Sequence, residues 1–234
     1  MSSDGIYRAD GVSPPDRPMG VLPRASRFGE FCWAAADHIP LIPRADWSGF
    51  AGQSPVKNFV KEIKDQDGVG SCATESSTQA VQVIEAIAGR PFVELNPWFI
   101  YHTTSGGSDR GSSIDANLRF IREHGIAPAS VWGRDQGWRK RPSDEAVEAA
   151  LEHRIEEFYD IASVDEMVSA LIQGWPVVWG SKGHSVLKVE HLNEREGLDV
   201  NSWGSDWGNG GFGVWTPYSS INWNYGAWAL RTMK

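Results

Sequence analysis

Four residues of this chain, Gln66, Cys72, His184 and Asn201, have the types and order that thiol-dependent hydrolysis requires. A cysteine thiolate attacks a carbonyl carbon, and a histidine takes the thiol proton and later returns it. An asparagine orients the imidazole, and a glutamine amide donates a hydrogen bond to the oxyanion. The four residues lie in the segments KDQDGVGSCATESS, GHSVLKV and VNSWGSDWGNGGFG. We therefore predict that they form a catalytic site.

The surroundings of Cys72 favour a reactive thiol over a buried structural cysteine. The pattern of apolar residues predicts a helix over 73–88, which places Cys72 at its N-terminal end. Free N–H groups and the helix dipole at that end are expected to lower the thiol pKa, and a nearby imidazolium lowers it further. Gly68 and Gly70 allow a tight turn and the close approach of a substrate to the backbone.

Composition excludes several other classes of function. The formal net charge is −8 and no basic run occurs, so nucleic acid is not an expected partner. The histidines and the two cysteines have no metal-ligand spacing, and no cofactor is implied. Cys32 and Cys72 are too few for a disulfide framework; they could pair, but the catalytic interpretation requires Cys72 to be free.

No segment is apolar enough to span a membrane, and the N-terminus lacks the features of a signal peptide. We therefore expect no membrane partner and a cytoplasmic protein, or a virion-associated one if a phage encodes it. With 234 residues and 41% hydrophobic content, the chain can form one core or two lobes that share an interface.

The predicted elements change type along the chain. Prolines and glycines in residues 1–45 predict an extended arm on the body or on an assembly partner. Helices are predicted at 73–88, 114–124, 144–154 and 164–173, and short strands at 176–180, 184–192, 197–203, 211–216 and 227–233. Helices followed by strands indicate an α+β fold, with a helical lobe at 46–150 and a β-rich lobe at 151–234.

Three motifs resemble those of the papain-like cysteine peptidases. QDGVGSCATES resembles the family string QGSCGSCWAF, HSVLKVEH resembles HAVLVVGY, and VNSWGSDWGNGGF resembles KNSWGxxWGxxGY. PRADW at 43–47 resembles the start of the mature enzymes, and the layout after residue 142 is similar to bacterial and phage members. The resemblance covers residues 43–234 and implies a two-lobe fold with the active-site cleft between an N-terminal helical lobe and a C-terminal antiparallel β lobe.

The resemblance also implies a role for each matching residue. Cys72 would be the nucleophile, His184 its acid–base partner, Asn201 the residue that orients His184, and Gln66 an oxyanion donor together with the backbone N–H of Cys72. A second set would contact substrate or shield the histidine: Gly70, Gly111, Ser112, Trp203 and Trp207. Within this set, the backbone of Gly111 would pair with an extended peptide, and the two tryptophans would cover the contact between His184 and Asn201.

Several departures from the family pattern affect the cleft. Ala73 replaces the tryptophan that usually follows the nucleophile, and the family's disulfide cysteines are missing. Only a few residues separate the strand at 176–180 from His184, which predicts a cleft that is either unusually open or specialised for one substrate. Many family members have a long helical propeptide; the arm at 1–45 is too short and too proline-rich to replace it, but it could cross the cleft.

These features favour a thiol hydrolase that cleaves peptide bonds in a peptide or protein substrate through a Cys72 acyl-enzyme. Two alternatives remain open. The fold could serve as a structural or binding module with weak or no turnover, for example in a virion, or the same chemistry could act on peptidoglycan peptides or isopeptides. His191 is the one rival for the imidazole role, and its spacing of seven residues from His184 predicts the opposite strand face.

Overall fold

A computed structural model describes residues 4–14, 17–24 and 32–233. The parts of the predicted arm at 1–3, 15–16 and 25–31 lie outside the described residues. In the described part of the chain, no helix has the length and apolar character needed to cross a bilayer.

The helices occupy the middle of the chain. They are α1 (Cys72–Ile87), α2 (Pro97–Thr104), α3 (Ile114–His124), α4 (Asp144–Ala150) and α5 (Val164–Ile172). Helix α1 is buried along nearly its whole length and contacts the sheet on one side and α2 and α3 on the other. This central position holds its first residue, Cys72, at the junction between helices and sheet.

A seven-stranded sheet forms the other part of the molecule. Its strands are β1 (Trp33–Ala34), β2 (Ile155–Asp160), β3 (Val177–Ser181), β4 (His184–Asn193), β5 (Glu196–Val200), β6 (Phe212–Gly213) and β7 (Ala227–Met233). The spatial order is β1-β2-β7-β3-β4-β5-β6, and all neighbours pair antiparallel except β1 and β2. The α+β prediction is confirmed.

Helix α2 and strand β2 were not among the predicted elements. Helix α2 is apolar and buried over Pro97–Tyr101, so it lacks the helical periodicity of a half-exposed helix; Asn96 caps it by accepting a hydrogen bond from Trp98 N. The helix predicted at 144–154 is observed only as far as His153, and the acidic segment goes on beyond it. That segment continues as β2, where Ile155 and Phe158 are fully buried.

A buried ion pair lies inside the β lobe. Lys188 Nζ is 2.9 Å from Asp199 Oδ1, and both side chains are fully buried. Asp199 also accepts hydrogen bonds from Trp179 Nε1 and from the backbone N of Trp215. Burial raises the pKa of Asp199 and lowers that of Lys188, so each charge depends on the other.

Removing one partner of this pair is expected to destabilise the fold strongly. Asp199→Ala leaves the ammonium of Lys188 buried without its counter-charge, and should lower the free energy of unfolding in urea by about 3–5 kcal/mol. The double variant Lys188→Met/Asp199→Leu removes both charges and should recover most of that loss. A loss of under about 1 kcal/mol in Asp199→Ala would contradict this account.

Candidate active site

The loop before α1 is held against the β lobe by backbone contacts. Asp65 forms an antiparallel bridge with Trp203, and Gln66 N donates to Ser202 O at 2.9 Å. Cys72 follows as the first residue of α1 and is fully buried. The predicted position of Cys72 at the start of a helix is therefore observed.

A tight hairpin places His184 at the first position of β4. Lys182 and Gly183 connect β3 to β4 with φ angles of 51° and 80°, as a two-residue type I′ turn requires. Ser181 pairs with His184 directly after this turn. One turn into α1, Ser76 Oγ lies 2.7 Å from Ser185 Oγ, and this contact ties the cysteine helix to the histidine strand.

His184 and Asn201 form a buried hydrogen-bonded pair. Nε2 of His184 donates to Oδ1 of Asn201 at 2.7 Å, and the same oxygen accepts from Ser202 N at 2.7 Å. Nδ1 of His184 is buried and has no hydrogen-bond partner among the described residues. With the proton on Nε2, Nδ1 carries the lone pair that can accept a thiol proton.

Two tryptophans enclose the imidazole. Trp203 stacks on His184 with ring centroids 4.4 Å apart, and Trp215 contacts it edge-on at 5.0 Å. Trp207 packs against Trp203 at 6.1 Å and against Tyr7 at 5.2 Å. Trp207 thus lies one layer further out than predicted. Trp215 was missed because it lies outside the NSWG string and reaches the histidine only through tertiary packing.

Gln66 is oriented by the residue that follows the asparagine. Ser202 Oγ donates to Gln66 Oε1 at 2.9 Å, so the amide nitrogen points the other way. That nitrogen, Nε2, donates to Val69 O at 2.7 Å and to Pro18 O at 2.9 Å. The amide predicted to bind an oxyanion therefore already holds a carbonyl oxygen from the N-terminal arm.

Residues 17–24 of the arm, here called the strap, occupy the cleft. Gly20 N donates to Cys72 Sγ at 3.2 Å. Val21 N donates to Gly183 O at 3.1 Å, and the Val21 side chain is 5% exposed. The open cleft predicted from the short β3–β4 connection is not observed, because the strap fills the space beside that turn.

The backbone of Ser112 pairs with the strap. Ser112 N donates to Gly20 O at 2.9 Å, Leu22 N donates to Ser112 O at 3.0 Å, and the two segments run parallel. Gly111, which was predicted to make this pairing, instead donates its N–H to Tyr101 Oη at 3.1 Å. In this structure the strap therefore pairs with Ser112 and not with Gly111.

Gly20 fits into the cleft only because it has no side chain. A Cβ on Gly20 would lie 1.8 Å from Gly70 O, and a Cβ on Gly111 would lie 1.9 Å from Gly20 O. Three glycine backbones therefore meet near Cys72, and in this structure the segment that approaches Gly70 closely is the strap.

Burial shifts the pKa values of both Cys72 and His184. Desolvation raises the pKa of Cys72 to about 11, although backbone N–H groups of Ser185, Gly20 and Ala73 oppose the shift. Desolvation also lowers the pKa of His184 to about 4, against the effect of the bond to Asn201. The predicted low thiol pKa is wrong for this closed arrangement, in which both groups are neutral at pH 7.

The closed arrangement should weaken in acid. A hydrated His184 has its ordinary pKa of 6.5, so an open state takes up a proton below that pH, whereas the closed state resists until about pH 4. Closure should therefore lose up to about 3 kcal/mol as the pH falls from 6.5 to 4. We expect the hydrogen-exchange protection of the Gly20, Val21 and Leu22 amides, corrected for intrinsic rates, to fall over this range. Constant protection would contradict the prediction.

The remaining candidate groups lie outside this constellation. His191 packs against Trp47 at 5.4 Å and Tyr218 at 6.2 Å, away from the rings that surround His184. Both Cys32 and Cys72 are free. Within residues 4–14, 17–24 and 32–233, no three side chains of His, Cys, Asp or Glu group together as metal ligands would.

Comparison with known proteins gave matches to solved structures. No protein-family model matches the chain, and no curated protein matches it. Xylellain, a cysteine protease from Xylella fastidiosa, superposes with a TM-score of 0.74 at 20% identity, covering 95% of this chain and 100% of xylellain. Procathepsin L 3 from Tenebrio molitor larval midgut gives 0.60 at 19% identity, over 95% and 76% of the two chains. The stem bromelain precursor gives 0.65 at 14% identity, over 94% and 84%. These neighbours are papain-like cysteine proteases, and the chain therefore has the papain-like α+β fold.

Proposed function

We propose that this chain is a papain-like cysteine peptidase that hydrolyses peptide bonds through a Cys72 acyl-enzyme. The observation that carries the proposal is the buried His184–Asn201 bond, which leaves His184 Nδ1 without a hydrogen-bond partner among the described residues. The next residue, Ser185, approaches the sulfur of Cys72 with its backbone N–H. An inert core has no physical need for an oriented imidazole with an unused lone pair on the residue next to one that contacts a thiol.

In the proposed cycle, His184 Nδ1 takes the proton of Cys72 as the sulfur bonds to the substrate carbonyl carbon. Gln66 Nε2 and the backbone N–H of Cys72 donate hydrogen bonds to the resulting oxyanion. The imidazolium returns its proton to the leaving amine as the C–N bond breaks, which leaves a thioester. Water, deprotonated by His184, then attacks the thioester carbon. The C–S bond breaks, the carboxylic acid product leaves, and the Cys72 sulfur regains its proton from His184.

The closed arrangement corresponds, in this proposal, to a latent enzyme. The strap covers the sulfur and places Pro18 O on the Gln66 amide. The strap atom that is hydrogen-bonded to the sulfur is an amide N–H, which is not the electrophile that the thiolate attacks. The strap therefore occupies the site without being positioned for cleavage.

The strap is tethered to the sheet on both sides of the cleft. On the N-terminal side, Ala9 N and Gly11 N donate to Val214 O and Trp215 O, next to the β6 edge. On the C-terminal side, β1 pairs with β2 at the opposite edge. We infer that cleavage of one peptide bond in the strap would leave both halves of the strap attached to the sheet. The cleft would therefore open by displacement of the strap and not by its removal.

A largely buried ion pair joins the C-terminal end of the strap to β2. Arg24 Nη1 and Nη2 bind Asp160 Oδ1 and Oδ2 at 2.9 and 2.6 Å, with the side chains 10% and 6% exposed. Arg24→Ala removes a bidentate bond and leaves a buried carboxylate, so we expect the rate of Cys72 alkylation to rise by about tenfold or more. Arg44→Ala, which breaks an exposed pair with Asp165, is the matched control and should leave the rate unchanged. Equal rates of Cys72 alkylation in the two variants would show that the Arg24–Asp160 ion pair does not hold the strap over Cys72.

The second candidate function is a non-catalytic module, and the occupied cleft is the observation that favours it. Both candidates are tested with Gly20→Val, which cannot keep the strap in place, and with Gly20→Val/Cys72→Ala. The peptidase proposal expects Cys72-dependent hydrolysis of denatured casein by the single variant. Hydrolysis of isolated cell wall alone would assign the same chemistry to peptidoglycan peptides. An accessible thiol with no turnover of either substrate would favour the module.

A further inference from the structure

Two glycines form opposite walls of the cleft, and one pair of side chains connects them. Asp109 Oδ1 accepts from Gly70 N at 2.8 Å and from Tyr101 Oη at 2.7 Å. The same hydroxyl accepts from Gly111 N at 3.1 Å. A continuous chain of three hydrogen bonds therefore connects Gly70, on the wall next to Cys72, with Gly111, on the opposite wall.

We propose that Asp109 and Tyr101 are positioning residues that hold Gly70 and Gly111 at a fixed separation and so set the width of the substrate slot. This inference rests on the proposed peptidase function. Gly70 lies two residues before the Cys72 N–H that would bind the oxyanion. Gly111 precedes Ser112, whose backbone groups pair with the strap and, in this proposal, with substrate.

The anchoring of Tyr101 suits this role. Tyr101 lies on α2 and is fully buried, with its ring 5.3 Å from that of Trp138. Its hydroxyl therefore has a fixed position against a packed helix, whereas Asp109 comes from the exposed glycine-rich loop after α2. The buried tyrosine thus fixes the position of the exposed aspartate, whose Oδ1 accepts hydrogen bonds from two donors.

The slot is narrow enough for its width to matter. A Cβ on Gly70 would lie 3.0 Å from Asp109 Oδ1, 3.3 Å from Tyr101 Oη and 3.6 Å from Gly111 N. The two walls therefore approach each other through these side-chain atoms. Because the polar atoms of both residues are used to connect the walls, their loss should alter the binding and orientation of substrate before it alters the fold.

The test uses the full chain with Gly20→Val as background and measures peptide turnover and amide exchange. Tyr101→Phe should accelerate exchange at the Gly111 amide and raise KM by about fivefold to tenfold, with kcat changed less than about twofold. Asp109→Ala also frees the Gly70 N–H next to the oxyanion donor, so it should lower kcat as well. Asp109→Asn keeps an acceptor oxygen and should recover most of the activity.

Tyr159→Phe is the matched control, because Tyr159 Oη donates to Glu157 Oε2 at 2.7 Å on β2. Equal changes in KM and in Gly111 exchange for Tyr101→Phe and Tyr159→Phe would overturn the proposal. If the background hydrolyses no peptide, the proposed function fails separately. Amide hydrogen exchange at Gly70 and Gly111 in the same variants then still shows whether Asp109 and Tyr101 hold the two glycines in place.

Discussion

Gly20→Val is expected to expose the thiol of Cys72 in the full-length chain. Valine has no room at this position, because a Cβ there would lie 1.8 Å from Gly70 O, a backbone atom that cannot rotate away. The strap must leave the cleft, which removes the desolvation that raises the Cys72 pKa to about 11. A return to the ordinary thiol pKa of about 8.5 multiplies the thiolate fraction at pH 7 by about two orders of magnitude. Iodoacetamide alkylation, followed by mass spectrometry of the Cys72 peptide, should accelerate accordingly.

A matched substitution separates strap displacement from a general effect of valine. Gly49→Val adds the same side chain at a position where no atom lies within 4 Å, so its alkylation rate should equal that of the unmodified chain. The rate–pH profile gives a second criterion. The unmodified chain should react appreciably only towards pH 11, and Gly20→Val should react at least two pH units lower. Identical profiles would mean that the strap does not control the thiol.

His184→Ala in the Gly20→Val background is expected to slow peptide turnover and to lower the reactivity of Cys72 at acidic pH, where a thiolate needs the imidazolium as its counter-charge. Without the imidazole, no group accepts the Cys72 proton in the proposed cycle, and the thiolate loses its counter-charge. General-base catalysis contributes about 10²–10⁴-fold, so kcat/KM for a peptide should fall by that factor. Alkylation of Cys72 at pH 6 should fall together with turnover, because both require the thiolate.

His191→Asn serves as the control for a buried histidine on the same strand. His191 is fully buried and its Nδ1 lies 3.2 Å from Tyr218 Oη, so its loss should lower stability. It should leave the alkylation rate at pH 6 close to that of the background. If His191→Asn instead removed the reactivity and His184→Ala preserved it, the imidazole role would belong to His191.

The sequence alone determined the fold class and the candidate residues, because each depends on a short segment. The start of α1, the β3–β4 turn and the NSWG string are local patterns with few structural solutions. Their placement in the structure agrees with the predictions for Cys72, His184 and Asn201. Helix α2 and strand β2 were missed, because one is buried on all sides and the other follows a helical acidic run without a break.

Only the tertiary structure decided what surrounds those residues. The contacts of Gly20 with Cys72 and of Pro18 with Gln66 join positions 52 and 48 residues apart, and no local pattern encodes them. The protonation of Cys72 could not be predicted from its helix position, because desolvation by burial outweighs the favourable backbone N–H groups. Local sequence specifies which groups are present and how the chain turns near them. The burial of Cys72 and the hydrogen-bond partners of Cys72 and Gln66 come from segments far away in the sequence. These contacts determine the protonation of the site and whether its cleft is occupied.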